Sequence, residues 1–111
     1  MAISTEDVTS GITKVIVGGR LDIDGAAALD LQMNVIAASQ KAVLVDLRDV
    51  SYLGSMGLRS LVAPARAIKS RGGKMVLLGP NEFVGKVLKA SGVDALIPVH
   101  YELQSALDAL Q

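Results

Sequence analysis

The run Ala42-Val43-Leu44-Val45, inside the segment from Lys41 to Leu47, lies between two long helical patterns and contains no polar residue. A stretch this short makes no separate helix, and without alternation it reads as a strand buried on both faces. Strands of that kind belong to parallel sheets, whose crossover helices cover both sides. The run is therefore the expected centre of a sheet.

Before it, Ala2 to Val8 and Ile12 to Val17 read as two short strands around a turn at Thr9, Ser10 and Gly11, a hairpin that joins the larger sheet. Gly18 and Gly19 are expected to stop the second strand, and Asp22 or Asp24 to cap a helix running to about Ser39. Leu29, Met33 and Ile36, with Ala28, Leu31 and Val35 beside them, give that helix a wide apolar face.

After the central run, Arg48 to Gly54 reads as a loop with an apolar patch at Val50, Tyr52 and Leu53. A second helical pattern spans Ser55 to Arg71, with Leu58, Leu61, Val62, Ala65 and Ile68 as its buried stripe. Pro64 falls inside it and removes one backbone donor, which costs about 3 kcal/mol in a helix interior, so a kink or two shorter helices are expected. Gly72 and Gly73 end the segment. Lys74 to Leu78 is a further strand, closed by Gly79 and Pro80. A third helix spans roughly Asn81 to Ala90, with Phe83, Val84, Val87 and Leu88 inward and Gly92 just past its end. Leu96 to Val99 reads as a last short strand, and Tyr101 to Leu110 as a final helix built on Leu103, Ala106, Leu107 and Leu110.

This order implies an α/β fold: a four- to five-stranded mixed sheet, mostly parallel with one antiparallel start, and about four helices. With 111 residues, half of them apolar, a single domain over residues 1–111 is expected. Partners of such sheets meet the loops at the carboxyl ends of strands, so the segment from Asp46 to Ser55 is where a site is sought.

Several function classes find no support. Eleven basic residues balance eleven acidic ones, so no net field draws the chain to nucleic acid or an anionic membrane. Tyr52, Phe83 and Tyr101 are too few and too scattered for a base-stacking platform. No signal peptide is legible, and charges interrupt every apolar run well before the ~18 residues a membrane span needs. Without cysteine there is no disulfide or thiolate metal site, and a cytoplasmic location is the default.

His100, the one histidine, has no partner for a metal site and is read as solvent-facing. Ser55 sits in Gly-Ser-Met-Gly, which lacks the nucleophile elbow, and neither Gly18-Gly19 nor Gly72-Gly73 has phosphate-loop spacing. Asp46 and Asp49 follow a buried strand, as in a phosphate-accepting receiver, but the acidic pair a receiver needs after its first strand is missing. Loop hydrogen bonding is the plainer role for both. Arg66, Lys69 and Arg71 are explained by the dipole at a helix C-terminus. No enzyme, cofactor or metal is expected.

The stretch Val43-Leu44-Val45-Asp46-Leu47-Arg48-Asp49-Val50-Ser51-Tyr52-Leu53-Gly54-Ser55-Met56-Gly57-Leu58 resembles the signature of bacterial anti-sigma factor antagonists, a branch of the STAS domain family. In that signature an apolar strand is followed by Asp-Leu, a valine, an aromatic, an aliphatic and then Asp-Ser-Ser-Gly-Leu-Gly opening a helix. Asp46, Leu47, Val50, Tyr52, Leu53, Ser55, Gly57 and Leu58 are in register. Gly18-Gly19-Arg20-Leu21-Asp22 is similar to the family's Gly-x-Leu-Asp start of the first helix.

The resemblance implies a STAS-like fold and a phosphorylation-controlled switch that binds an anti-sigma factor doubling as a serine kinase. It makes Ser55 the phosphoacceptor, and the partner surface Gly19, Arg20, Leu21, Asp22, Gly54, Ser55, Met56, Gly57, Leu58 and Arg59. The oligomeric state is left open, with a monomer favoured, and no cofactor or membrane insertion is expected. Independently, a serine at a helix start flanked by glycines is reachable by a kinase, and phosphate there sits against free N–H groups. Arg59, one turn on, is placed to pair with it. The departures are Gly54 in place of an acidic residue, Met56 in place of serine or threonine, and Arg59 in place of glycine. They leave two roles open for Ser55, phosphoacceptor or plain helix cap, and three for the chain: antagonist, an unphosphorylated STAS interaction module such as the subunit of a lipid-transport ABC complex, or a small-ligand sensor, for which the sequence offers no specific pocket.

Overall fold

The apolar run does form the middle of a sheet. A computed structural model of the chain describes residues 2–9 and 11–111, with Thr9 described by its backbone only. Five strands, β1 (Ala2–Thr9), β2 (Ile12–Leu21), β3 (Ala42–Leu53), β4 (Lys74–Leu78) and β5 (Val99–His100), lie in sequence order across one sheet. The β1–β2 pair is antiparallel and the other three pairs are parallel. Val43, Leu44 and Val45 are fully buried, as a strand covered on both faces must be. Ser10, in the expected hairpin turn, lies outside the described residues.

Among the described residues five helices, one more than expected, connect and cover the sheet: α1 (Ile23–Ser39), α2 (Ser55–Ser70), α3 (Glu82–Ala90), α4 (Val93–Leu96) and α5 (Leu103–Ala109). The main core packs Leu29, Met33, Leu61, Ile68 and Leu88 from the helices against Val15, Val17, Val45, Leu47 and Leu77 of the sheet. A smaller cluster on the other face joins Ile12, Leu44, Val76 and Leu78 to Ala106 and Leu107 of α5.

Several boundaries differ from the sequence reading, for physical reasons. Gly18 and Gly19 do not stop β2. The strand runs on to Leu21 through two irregularities in its pairing with β3, and Gly19 takes φ 94°, a left-handed backbone that glycine adopts without penalty. Arg48 to Leu53 is not loop but the second half of β3, paired with that extension of β2. Pro64 neither divides α2 nor ends it. The helix is continuous, and Pro64 is buried in it.

The stretch from Val93 forms α4, which moves the last strand to Val99–His100, and His100 is half-buried there rather than solvent-facing. Leu31 and Val35 of α1, expected at the core, are 74 % and 71 % exposed, and Phe83, expected inward, is 50 % exposed. Leu103, assigned to the buried side of the last helix, is 38 % exposed.

Asn81 is the N-cap of α3. Its Oδ1 accepts from the Val84 N–H at 2.8 Å, while its Nδ2 donates to the Val50 carbonyl at 3.2 Å. One side chain thus starts a helix and ties it to β3. Asn81→Ala is expected to lower stability by about 1 to 2 kcal/mol, the usual loss for a cap, read as a lower urea midpoint with unchanged slope.

Candidate functional site

Because β2, β3 and β4 are parallel, the helices that follow them, α1, α2 and α3, all begin at the same edge of the sheet. Each helix start presents unpaired N–H groups and positive partial charge. The expected site segments, Gly19 to Asp22 and Gly54 to Arg59, meet at this edge. The Gly54 N–H donates to the Leu21 carbonyl at 3.1 Å, which joins the end of β3 to the end of β2. A concavity of about 330 Å³ results, lined by Arg20, Asp22, Ile23, Tyr52, Gly54, Ser55 and Met56.

The two helix starts in this concavity are built differently. Asp22 caps α1, its Oδ1 accepting from the Gly25 N–H at 3.0 Å. That hydrogen bond, helped by Arg20, holds the Asp22 carboxyl below the usual carboxylate value. In α2 the cap position is Gly54, and no side chain caps the helix. Ser55 is its first helical residue rather than its cap, which removes the plain capping role the sequence left open, and its side chain is exposed. Ser60, by contrast, is 3 % exposed and donates toward the carbonyls of Ala26 (3.2 Å) and Met56 (3.1 Å).

Of the ten expected partner-binding residues, Arg20, Ser55, Met56 and Arg59 are exposed, and Gly19, Asp22, Gly54 and Leu58 are half-buried. Leu21 and Gly57 are buried. They shape the site from beneath and offer a partner no contact. A Cβ on Gly57 would stand 2.7 Å from the Leu21 carbonyl oxygen and 2.8 Å from Leu53 Cδ1, so glycine lets α2 start this close to β2.

Two residues of this edge, Phe83 and Ile23, were not assigned to it by the sequence, and Tyr52 was covered only as part of the segment from Asp46 to Ser55. The Arg20 guanidinium lies 4.3 Å from the centre of the Tyr52 ring and 3.7 Å from the Asp22 carboxylate. Tyr52 in turn stacks on Phe83 of α3, with ring centres 5.9 Å apart and planes inclined by 19°. Ile23, 72 % exposed, closes the concavity beside Met56. A stack shared by β2, β3 and α3 is a long-range arrangement with no local signal. The Tyr52 ring also fills the space over Gly54, where a Cβ would meet it at 3.2 Å. Among the described residues no cluster of His, Cys, Asp or Glu is arranged to hold a metal, and no helix is long and apolar enough to cross a membrane.

Comparison with known proteins agrees with the fold. The STAS domain family model matches residues 5–106. An anti-sigma-F factor antagonist of Mycobacterium tuberculosis is 27 % identical over 103 residues, covering 92 % of this chain and 84 % of its own. The crystal structure of an anti-sigma factor antagonist from Mycobacterium paratuberculosis superposes with a TM-score of 0.85 at 29 % identity, covering 98 % of this chain and 94 % of its own. The Bacillus cell fate determinant SpoIIAA, in its phosphorylated form, shares the fold, with a TM-score of 0.76 at 19 % identity and coverage of 99 % and 100 %.

Proposed function

The chain belongs to the STAS domain family, and from that premise we propose that it is an anti-sigma factor antagonist: a monomeric cytoplasmic switch, not an enzyme, that binds a serine-kinase-type anti-sigma factor and loses that partner when Ser55 is phosphorylated. The observation that carries this reading is an exposed Ser55 hydroxyl at the uncapped start of α2, on the rim of the concavity where the two expected partner segments meet. Relatives named for the same activity, and a protein of this fold solved in phosphorylated form, support it.

The switch is electrostatic. A phosphate adds about −1.5 to −2 charges at pH 7 beside the N–H groups of the first turn, which favour anions by roughly 0.3 to 1 kcal/mol. Arg59, exposed one turn on, can turn toward it, and Arg20, which lies over Tyr52 and beside Asp22, lines the same concavity. The fold need not change, since both the attachment point and the receiving groups are already on the surface. What changes is the potential that a partner meets on the rim.

Binding to candidate kinase-type anti-sigma factors, with intact mass measurement, tests the proposal. Ser55→Ala is expected to keep binding and lose phosphate incorporation, and Ser55→Glu to weaken binding by about tenfold or more, or 1.4 kcal/mol. Modification that persists in the alanine variant would move the acceptor to exposed Ser51, since Ser60 is buried.

The second reading, an unphosphorylated STAS subunit such as that of a lipid-transport ABC complex, draws on Gly54, where the ring of Tyr52 occupies the place of the family's acidic side chain. Copurification with an ATPase subunit and a persistently unmodified mass would favour it.

A further inference from the structure

Helix α1 is apolar on two sides, and the fold uses only one of them. Leu29, Met33 and Ile36 supply the core, while Ile23, Ala27, Leu31 and Val35 recur at four-residue intervals along the outer side. The three large members of that stripe are 72 %, 74 % and 71 % exposed, so packing within the chain does not explain them. Helix propensity does not explain them either, because Ile23 and Val35 are β-branched and favour a helix less than lysine or glutamate would. A continuous exposed apolar stripe on an otherwise saturated helix is the mark of a contact surface.

The charges beside the stripe select its occupant. The only charged residues of α1 are Asp24 and Asp30, and both are exposed. A second copy laid α1 against α1 would set carboxylates against carboxylates, and an anionic lipid surface would be repelled by the same groups. A helix with apolar residues at four-residue spacing and lysine or arginine on both sides of that seam meets both demands. The stripe is also continuous with the Ser55 concavity, which Ile23 lines together with Met56.

We propose that the outer face of α1 is a docking surface for an amphipathic helix of a protein partner, seated on Leu31 and Val35 with its basic flanks against Asp24 and Asp30. This goes beyond the switch at Ser55 and stands whether or not that serine is modified.

The test is an amide chemical-shift titration of the full chain with two synthetic helical peptides. They share leucines at positions i, i+4, i+7 and i+11, and differ in carrying lysine or glutamate on the flanks. The lysine peptide is expected to shift α1 amides, and the glutamate twin to bind at least about tenfold more weakly. Leu31→Gln with Val35→Gln, which alters no charge and no core contact, should abolish the shifts while leaving the melting temperature in place. Equal binding of the two peptides, shifts that avoid α1, or no shifts with either would overturn the proposal. So would sedimentation showing a dimer of the chain that the Leu31→Gln, Val35→Gln variant dissociates, which would hand the stripe to a second copy.

Discussion

Asp46→Ala is expected to cost the domain about 3 to 5 kcal/mol, the loss seen when a buried ion pair is broken from one side. Asp46 is 4 % exposed inside the central strand, and its carboxylate holds two cations. Arg48 donates to it from Nε (3.0 and 3.1 Å), from Nη2 (2.7 Å) and from its backbone N–H (3.0 Å). Lys14, itself 8 % exposed in β2, lies 3.8 Å away. Removing the carboxylate leaves Lys14 with Glu6 alone, at 3.6 Å, in a place water barely reaches. The lower end of the range is expected, because Arg48 is half-exposed and recovers hydration.

The pH dependence has a definite sign. Burial works to raise the Asp46 carboxyl, but the hydrogen bonds and charge of Arg48, with the charge of Lys14, outweigh it and leave the group below its usual value. A folded-state value below the unfolded one, about 3.9, means that the stabilisation is complete above roughly pH 4 and is lost as the pH falls through the folded value. Urea melts of the parent and Asp46→Ala should therefore differ most at neutral pH and converge in acid. A gap that stays constant down to pH 2 would assign the loss to packing instead of charge.

Gly57→Ala is expected to lower stability by about 3 kcal/mol, the upper end for an overpacked site, even though alanine favours a helix interior. The new methyl would meet backbone as well as side chain: the Leu21 carbonyl oxygen at 2.7 Å, Leu21 Cβ at 2.8 Å and Leu53 Cδ1 at 2.8 Å. A side chain could turn aside, but the Leu21 carbonyl is held by the Gly54 N–H. Relief therefore comes by lifting the first turn of α2 off β2, which moves Ser55 relative to Arg20. Denaturation should show the stability loss, and partner binding should weaken in the fraction that remains folded. Unchanged stability would mean that the first turn of α2 has room for a methyl group against β2.

The central strand and the position of Ser55 at the start of a helix could be read from the chain because their signals are local. Val43 to Val45 is apolar without alternation, and Ser55 stands between glycines at the start of a strong helical period. The rest failed where the deciding contact is remote. Arg48 and Asp49 look like loop because they are charged, yet they continue β3 alongside an extension of β2 that Gly18 and Gly19 keep alive through its bulges. In α1, periodicity finds apolar residues all round and cannot choose a side. The core took Leu29, Met33 and Ile36 and left Leu31 and Val35 in water. Phe83 reads as inward from the apolar pattern of its helix, whereas its position in the first turn of α3 brings it to Tyr52. Of the candidate site, the serine and its two flanking segments were legible, while the stack of Arg20, Tyr52 and Phe83 was assembled by the fold.

Tyr52 also gives this edge of the sheet an optical label. The chain has no tryptophan and only two tyrosines, so absorbance and emission at the tyrosine wavelengths, above those where Phe83 absorbs, come from Tyr52 and Tyr101 alone. One of those chromophores sits face to face with a cation on the rim beside Ser55. Any event that draws Arg20 away from the ring alters its surroundings, and the molecule reports on this edge of the sheet without an added dye.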